Sequence, residues 1–164
     1  MPELWDLYDR DRIPIGQLWE LSTELPMGTY HLVVYILTFN EEGDLLITLR
    51  DHNKDRYAGL WEVTGGSALA GETSRIAACR ELFEETGVLA EPDDLVLLAQ
   101  MREHHSHMDF YRLDKDISMD DIELQPGETI DARWATVSEF VEMGQQGIVV
   151  PSLARRFLRL LPRL

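Results

Sequence analysis

A mixed α/β domain is the fold class this sequence predicts, and three observations carry it. Residues 30–39 (YHLVVYILTF) and Leu45–Arg50 (LLITLR) are rich in β-branched, aromatic and aliphatic side chains, the composition of buried strands. Segments with helical periodicity follow at 73–86, 136–143 and 151–161, so strands and helices interleave along the chain. The chain has 164 residues, 45% of them hydrophobic, with neither an internal repeat nor a low-complexity linker, and 1–164 therefore reads as a single domain.

The elements follow in order. Residues 4–16 (LWDLYDRDRIPIG) predict two short strands around a turn, with Trp5 and Leu7 alternating with Asp6 and Tyr8, so 1–29 form an N-terminal β-hairpin extension. Strand 30–39 turns through NEEGD into Leu45–Arg50, which predicts a hairpin between these two. HNKDRYAG is a polar loop before LWEVTGG, a short strand ending in glycines. Helix 73–86 comes next and stops at Gly87. DLVLLAQMRE and HMDFYRL predict strands on either side of a histidine-rich bend, and QPGETIDARWATV holds a turn and a further strand. Thr136 and Glu139 have capping-box spacing and open a short helix through Met143. The last helix, PSLARRFLRLL, has Leu153, Phe157, Leu160 and Leu161 as its apolar side, and its arginines read as solvated rather than membrane-facing.

Charge narrows the function classes. Thirty acidic and 15 basic residues give a formal net charge of −15, which disfavours duplex nucleic acid as a partner, because that surface needs a basic footprint. A nucleotide or diphosphate stays open, since a bound divalent cation reverses the local field. A single cysteine, Cys79, excludes an internal disulfide and a Cys-rich zinc site. No apolar run approaches membrane-spanning length, and MPELWDLYDRDR lacks the apolar core of a signal peptide, so the expected setting is soluble and cytoplasmic, with no membrane partner.

One helix concentrates carboxylates. At about 100° per residue, Ile76, Cys79, Leu82 and Phe83 fall on one side of 73–86 and predict its packed face, which makes Cys79 an inert buried thiol. Glu81, Glu84 and Glu85 fall on the opposite side, and Arg80 sits at the border within reach of Glu84. Acids at the C-terminal end of a helix oppose its dipole, and without interleaved lysines they gain little unless something positive rests on them. Carboxylate oxygens suit Mg²⁺ or Mn²⁺, and a hard cation so held typically serves phosphate chemistry.

These residues also carry a family resemblance. Gly66, Glu72 and the run Arg80, Glu81, Leu82, Glu84, Glu85, Gly87 and Val88 have the spacing G-x5-E-x7-R-E-U-x-E-E-x-G-U, where U is apolar, so that 66–88 resembles the Nudix box with every fixed position filled. The resemblance implies an α/β/α sandwich with a mixed β-sheet. It also implies hydrolysis of a diphosphate joined to another group, with a small-molecule diphosphate as substrate and Mg²⁺, or Mn²⁺, as cofactor. Glu81 and Glu85 would be the main metal ligands, Glu84 would assist in binding and catalysis, and the backbone carbonyl of Gly65 would complete the metal shell. Glu72 and Arg80 would brace the loop and orient the carboxylates.

Outside the box the readings divide. Members often carry another Glu before a strand tryptophan as ligand or general base; Glu128, six residues before Trp134, fits, and Glu123 is its rival. Arg50, at a strand end beside the box, is a candidate phosphate contact or a surface arginine. Glu103, His104, His105 and His107 invite a zinc reading, but the spacing fits no zinc pattern, and a substrate-binding loop with His105 is preferred. Trp5, Tyr8, Trp19 and Trp61 read as packing rather than base-stacking residues. The N-terminal half is similar to proteins related to isopentenyl diphosphate isomerase, which use a cysteine soon after the equivalent strand; LRDHNKDRYAGLWEV has none, so isomerase activity is disfavoured. A non-catalytic nucleotide sensor is the third class, disfavoured by the complete box. Substrate identity and a homodimeric state are both open.

Overall fold

The structure, a computed structural model, describes residues 2–21 and 23–164. Its strands are β1 (Leu4–Tyr8), β2 (Pro14–Glu20), β3 (His31–Phe39), β4 (Leu45–Arg50), β5 (Trp61–Glu62), β6 (Thr64–Ser67), β7 (Val96–Glu103), β8 (Ser106–Asp114) and β9 (Thr129–Ala135). The helices are α1 (Ser74–Thr86), α2 (Val137–Gln145) and α3 (Pro151–Leu160). No helix among the described residues is long and apolar enough to cross a membrane.

The main sheet runs β5-β4-β3-β8-β7, with β6 also pairing β3 and β9 also pairing β4. β3 and β8 are parallel over their full length, from His31↔Ser106 to Phe39↔Asp114, and the other pairings are antiparallel, so the sheet is mixed. The expected hairpin of β3 and β4 is present, antiparallel around the Asn40–Asp44 turn, but its ladder is short: they share the pair Phe39↔Leu45 and then splay. β6 enters the gap against β3 and β5 enters it against β4, while β9 runs along the other edge of β4. Two strands of high β-propensity need not pair along their length when other strands satisfy their backbone groups.

Period-two alternation on β3 divides the interior into two layers. Leu32, Val34 and Ile36 face α1, where Ala77, Ala78 and Leu82 pack with Tyr111 and Leu113 of β8. Leu37 and Phe39 face the other layer, with Ile47, Phe110, Phe140 of α2 and Phe157 of α3. α2 begins at Thr136, whose hydroxyl accepts from the Glu139 amide at 3.0 Å as the capping spacing predicts. It runs to Gln145, one turn fraction beyond the expected Met143.

The N-terminal hairpin pairs Leu4 with Glu20 and Trp5 with Trp19, its second strand extending past the expected Gly16. Trp5 and Leu7 are buried, as their alternation predicts. Trp5 stacks on His31 with ring centroids 4.0 Å apart. At the hairpin tip Arg12 forks onto the buried Asp109 of β8. Gly71 donates its amide to Asp6 at 2.7 Å, which ties the hairpin to the loop before α1.

His31 lies under this hairpin, between Ser67 and Ser106, and burial with the neighbouring His105 charge pushes its imidazole down to about 4. Unfolded, it titrates near 6.5, so the unfolded chain binds the extra proton and stability falls as pH drops from about 6.5 toward about 4. Across that window the loss attributable to His31 is about 1–3 kcal/mol after discounting for partial exposure. His31→Phe, which keeps a ring against Trp5, is expected to flatten the acid-side slope of Tm in a pH series of thermal melts; an unchanged slope would assign that slope to other groups.

Candidate active site

α1 is held at both ends. The Thr73 hydroxyl accepts from the Ile76 amide, and Gly87, at φ 72°, ends the helix in the left-handed conformation that a side chain would resist. The face it turns inward differs from the expected one. Ile76 is 48% and Phe83 52% exposed, while Ala77, Ala78, Leu82, Glu85 and Thr86 are buried. The two alanines let the helix backbone approach the sheet, and this rotates the carboxylate edge into the molecule rather than away from it. Cys79 is half-buried, not sequestered; burial and then the charges of Glu91 and Asp94 raise its thiol pKa, which leaves it unreactive.

The inward carboxylates border a cleft of about 270 Å³. Gly65, Gly66, Arg80, Glu81, Glu84 and Glu85 form one side, Arg50 and Lys54 another, and Gln125, Glu128 and Glu3 complete it. Arg80 is the hub. Its Nε and Nη2 donate to Glu72 at 2.7 and 2.9 Å, Nη1 to Glu81 at 2.9 Å and Glu84 at 3.1 Å, and Nη2 also to the Ser67 carbonyl at 3.0 Å. Every donor face of the guanidinium is thus engaged. The hydrogen bond to Glu72 is the largest influence raising the Arg80 pKa, so it is a permanent cation. Glu72 loses some solvation, but the bonds from Arg80 and from the Leu69 amide outweigh this and hold its carboxyl below the ordinary range. These are the bracing roles the motif implies.

Glu85 is only 8% exposed, and its Oε2 is buried with no hydrogen-bond partner. Burial, then the nearby charges of Glu62, Glu81 and Glu128, push its carboxyl well above the ordinary value, against one bond from the Gly65 amide. A bare carboxylate in this position is costly, so it takes up either a proton or a cation. Burial likewise raises the Glu81 carboxyl against the pull of Arg80. The glycine pair is shaped to this cluster. A Cβ on Gly66 would lie 2.2 Å from the Glu81 carboxyl carbon, and one on Gly65 would lie 2.7 Å from the Val34 carbonyl and 2.8 Å from the Tyr35 ring.

Among the described residues no three acidic, imidazole or thiol side chains close into a ready-made metal shell, and Arg80 bonds Glu81 and Glu84. The donors nonetheless suit a hard divalent cation: Glu85 offers a buried oxygen with no other partner, Glu81 lies beside it, and the glycines leave no side chain in between.

Of the two rival carboxylates, the fold brings Glu128 to the cleft, where it pairs with Lys54. Glu123 packs against Gly87 at the far end of α1 and lines no part of the cleft. Arg50 does line it, but Nη1 is bound to Glu62 at 2.9 and 3.1 Å, and Nε and Nη2 to the Arg56 carbonyl at 3.2 and 3.0 Å. His105, read as a substrate-binding candidate, does not line the cleft. It hydrogen-bonds the Thr29 carbonyl at the β7–β8 bend, where His104 has a φ of 50°. The neighbouring side chains go separate ways, Glu103 to Arg156 and His107 to the Asp9 carbonyl, because successive strand residues point to opposite faces.

Sequence reasoning missed Glu62 and Lys54. Glu62 sits in β5 between Trp61 and Val63, where burial raises its carboxyl against Arg50's attraction. An acid inside a short apolar strand next to two glycines was its signal. Lys54 had none, being one charge in a polar loop.

A family model for the NUDIX domain matches residues 29–158. The chain is 33% identical over 150 residues to an uncharacterized Nudix hydrolase of Listeria monocytogenes, covering 91% of this chain and 89% of that one. It is 35% identical over 103 residues to an isopentenyl-diphosphate Delta-isomerase of Streptomyces coelicolor, covering 62% of this chain and 51% of that one. A crystal structure from Deinococcus radiodurans superposes with a TM-score of 0.79 at 26% identity, covering 96% of this chain and 99% of that one. With the domain model spanning most of its length and the glycine–carboxylate cleft in place, this chain belongs to the Nudix hydrolase family.

Proposed function

We propose that this protein is a Mg²⁺- or Mn²⁺-dependent hydrolase that cleaves a diphosphate linkage in a nucleoside diphosphate derivative or another small organic diphosphate. The observation that carries this reading is the buried, unpartnered Oε2 of Glu85 beside Glu81, in a cleft that also presents cations. Members of the family generally use divalent metals. Glu81 and Glu85 would hold the ion, with Glu84 and the Gly65 carbonyl assisting; when bound, it polarises phosphoryl oxygens and lowers the pKa of water.

The chain's own groups divide the remaining work. Arg80 orients Glu72, Glu81 and Glu84 and has no donor to spare. Arg50 is turned toward Glu62 and the 51–58 loop. Lys54 has three ammonium donors and one side-chain partner among the described residues, Glu128, so it is the cation best placed to meet a phosphoryl oxygen. Glu128, in the same cleft, would take the proton of an attacking water.

These roles give opposite expectations. Glu128→Gln lowers kcat by roughly ten- to ten-thousandfold, the range for losing general-base assistance, with little change in KM. Lys54→Met raises KM for the diphosphate by about tenfold, the scale of one charged hydrogen bond. Glu123→Gln leaves both constants near normal. A kcat loss in Glu123→Gln with Glu128→Gln unaffected would move the base to Glu123.

The isomerase reading draws support from the Streptomyces coelicolor relative. The only thiol, Cys79, lies outside the cleft lining, so the residues that would supply a cysteine acid are not there. A Mg²⁺-dependent hydrolysis screen over a diphosphate panel, with product identification, tests both readings. Hydrolysis of at least one member is expected; conversion of isopentenyl diphosphate to its dimethylallyl isomer without hydrolysis anywhere would reverse the assignment.

A further inference from the structure

α2 and α3 lie side by side at the end of the chain and carry opposite charge. α2 (VSEFVEMGQ) holds Glu139 and Glu142, and α3 (PSLARRFLRL) holds Arg155, Arg156 and Arg159. Arg133 takes Glu139 at 2.8 Å, and Glu142 is exposed and makes no ion pair among the described residues. On α3, all three arginines turn to one carboxylate, Glu103. Arg156 is buried and bonds it at 2.7 Å, whereas Arg155 and Arg159 reach it only at 4.0 and 3.7 Å and keep 64% and 62% of their side-chain surface exposed. One acid cannot neutralise three bases, so this helix presents surplus positive charge on a protein whose formal net charge is −15.

Between the helices runs an apolar groove of about 240 Å³, lined by Phe140, Val141, Gly144, Ala154 and Leu158 with Arg155 at its rim. Leu158 stands beside it, 50% exposed. The backbones come close at Gly144, where a Cβ would sit 3.0 Å from that of Ala154. The face therefore offers a knob, a groove, an unpaired acid and two largely exposed bases that share one carboxylate with Arg156.

We propose that this face binds a second copy of this chain in a two-fold symmetric dimer. A two-fold interface needs one patch that complements itself, so that residue i meets j while j meets i. Turning a copy about an axis beside α3 sets the basic helix of each against the acidic helix of the other. Arg155 and Arg159 then meet Glu142 of the second copy, and each Leu158 enters the opposite groove. On a chain of formal net charge −15, this face lets exposed bases meet an unpaired acid across the two-fold axis.

Sedimentation velocity over a micromolar concentration series, at low and at high salt, tests this. The wild type is expected to dimerise, with the dimer weakening as salt rises. The double variant Arg155→Glu, Arg159→Glu raises the dimer Kd by about tenfold or more, and so does Glu142→Arg alone. Mixing the two variants restores a heterodimer, which a mere folding defect would not do. None of these residues borders the carboxylate cleft, so turnover per protomer stays at the wild-type level. A wild type that remains monomeric throughout overturns the proposal, as does a dimer indifferent to all three substitutions. Binding to anionic vesicles by a wild type that stays monomeric would reassign the face to a membrane surface and overturn it equally.

Discussion

Glu85→Gln is expected to lower kcat/KM for diphosphate hydrolysis by about a thousandfold or more, while raising the thermal stability of the metal-free protein. The two signs come from one fact. The Glu85 carboxylate is buried, carries an oxygen with no partner, and faces the charges of Glu62, Glu81 and Glu128. Without a cation, that arrangement costs the fold, and a neutral amide of the same shape relieves it. With Mg²⁺ present, the wild-type carboxylate is the strongest available donor, and its loss removes transition-state charge stabilisation worth several kcal/mol. Thermal melts with and without Mg²⁺ separate the effects. The wild type should gain stability from the ion, as any folded-state ligand ensures, and the variant should gain much less. An equal Mg²⁺-induced shift in both proteins would place the ion elsewhere.

Gly66→Ala is expected to cost activity about a hundredfold while leaving a folded protein. The added methyl would fall 2.2 Å from the Glu81 carboxyl carbon, far inside contact distance, so the carboxylate must move. Gly66 has an ordinary negative φ, and alanine brings no backbone strain there. Displacement of a metal-binding group by an ångström typically costs about this much. Gly65→Ala differs in kind: its methyl meets the Val34 carbonyl and the Tyr35 ring, so the damage is to β3–β6 packing and shows in Tm as well. Kinetics and melts on both variants distinguish a displaced carboxylate from a disrupted sheet. A Gly66→Ala enzyme with normal turnover would mean that Glu81 has room to move without consequence.

Strand and helix identities were legible from local pattern because they depend on neighbours in sequence. The hairpin alternation of Trp5 and Leu7, the cap at Thr136 and the stop at Gly87 all held. Pairing was less legible. The β3–β4 splay depends on β5 and β6 inserting between them, which no window around 30–50 contains. The inward face of α1 was misread because hydrophobicity favoured Ile76 and Phe83, whereas close approach to the sheet favoured Ala77 and Ala78. Within the site, the motif spacing located the carboxylates and Arg80. That Glu62 meets Arg50, Lys54 meets Glu128, and Glu128 rather than Glu123 lines the cleft are matters of tertiary structure, which no local window contains. The place of His105 was hidden for a similar reason, since the β7–β8 bend meets the N-terminal extension at Thr29.

The parallel pairing of β3 with β8 has a consequence for how the chain is made. His31 and Ser106 are 75 positions apart, and β3 gains its longest ladder only when that span has closed. Closing so long a loop carries an entropic cost that precedes its reward, which slows folding relative to a helical protein of the same size. A nascent chain emerges from the ribosome with β3 complete long before β8 exists. During that interval the edge of β3 that will carry β8 is open, because β6 and the Tyr8–Tyr30 bridge lie along its opposite edge. An apolar strand edge held open in this way invites pairing with another chain, so the arrival of β8 is also the step that removes this hazard.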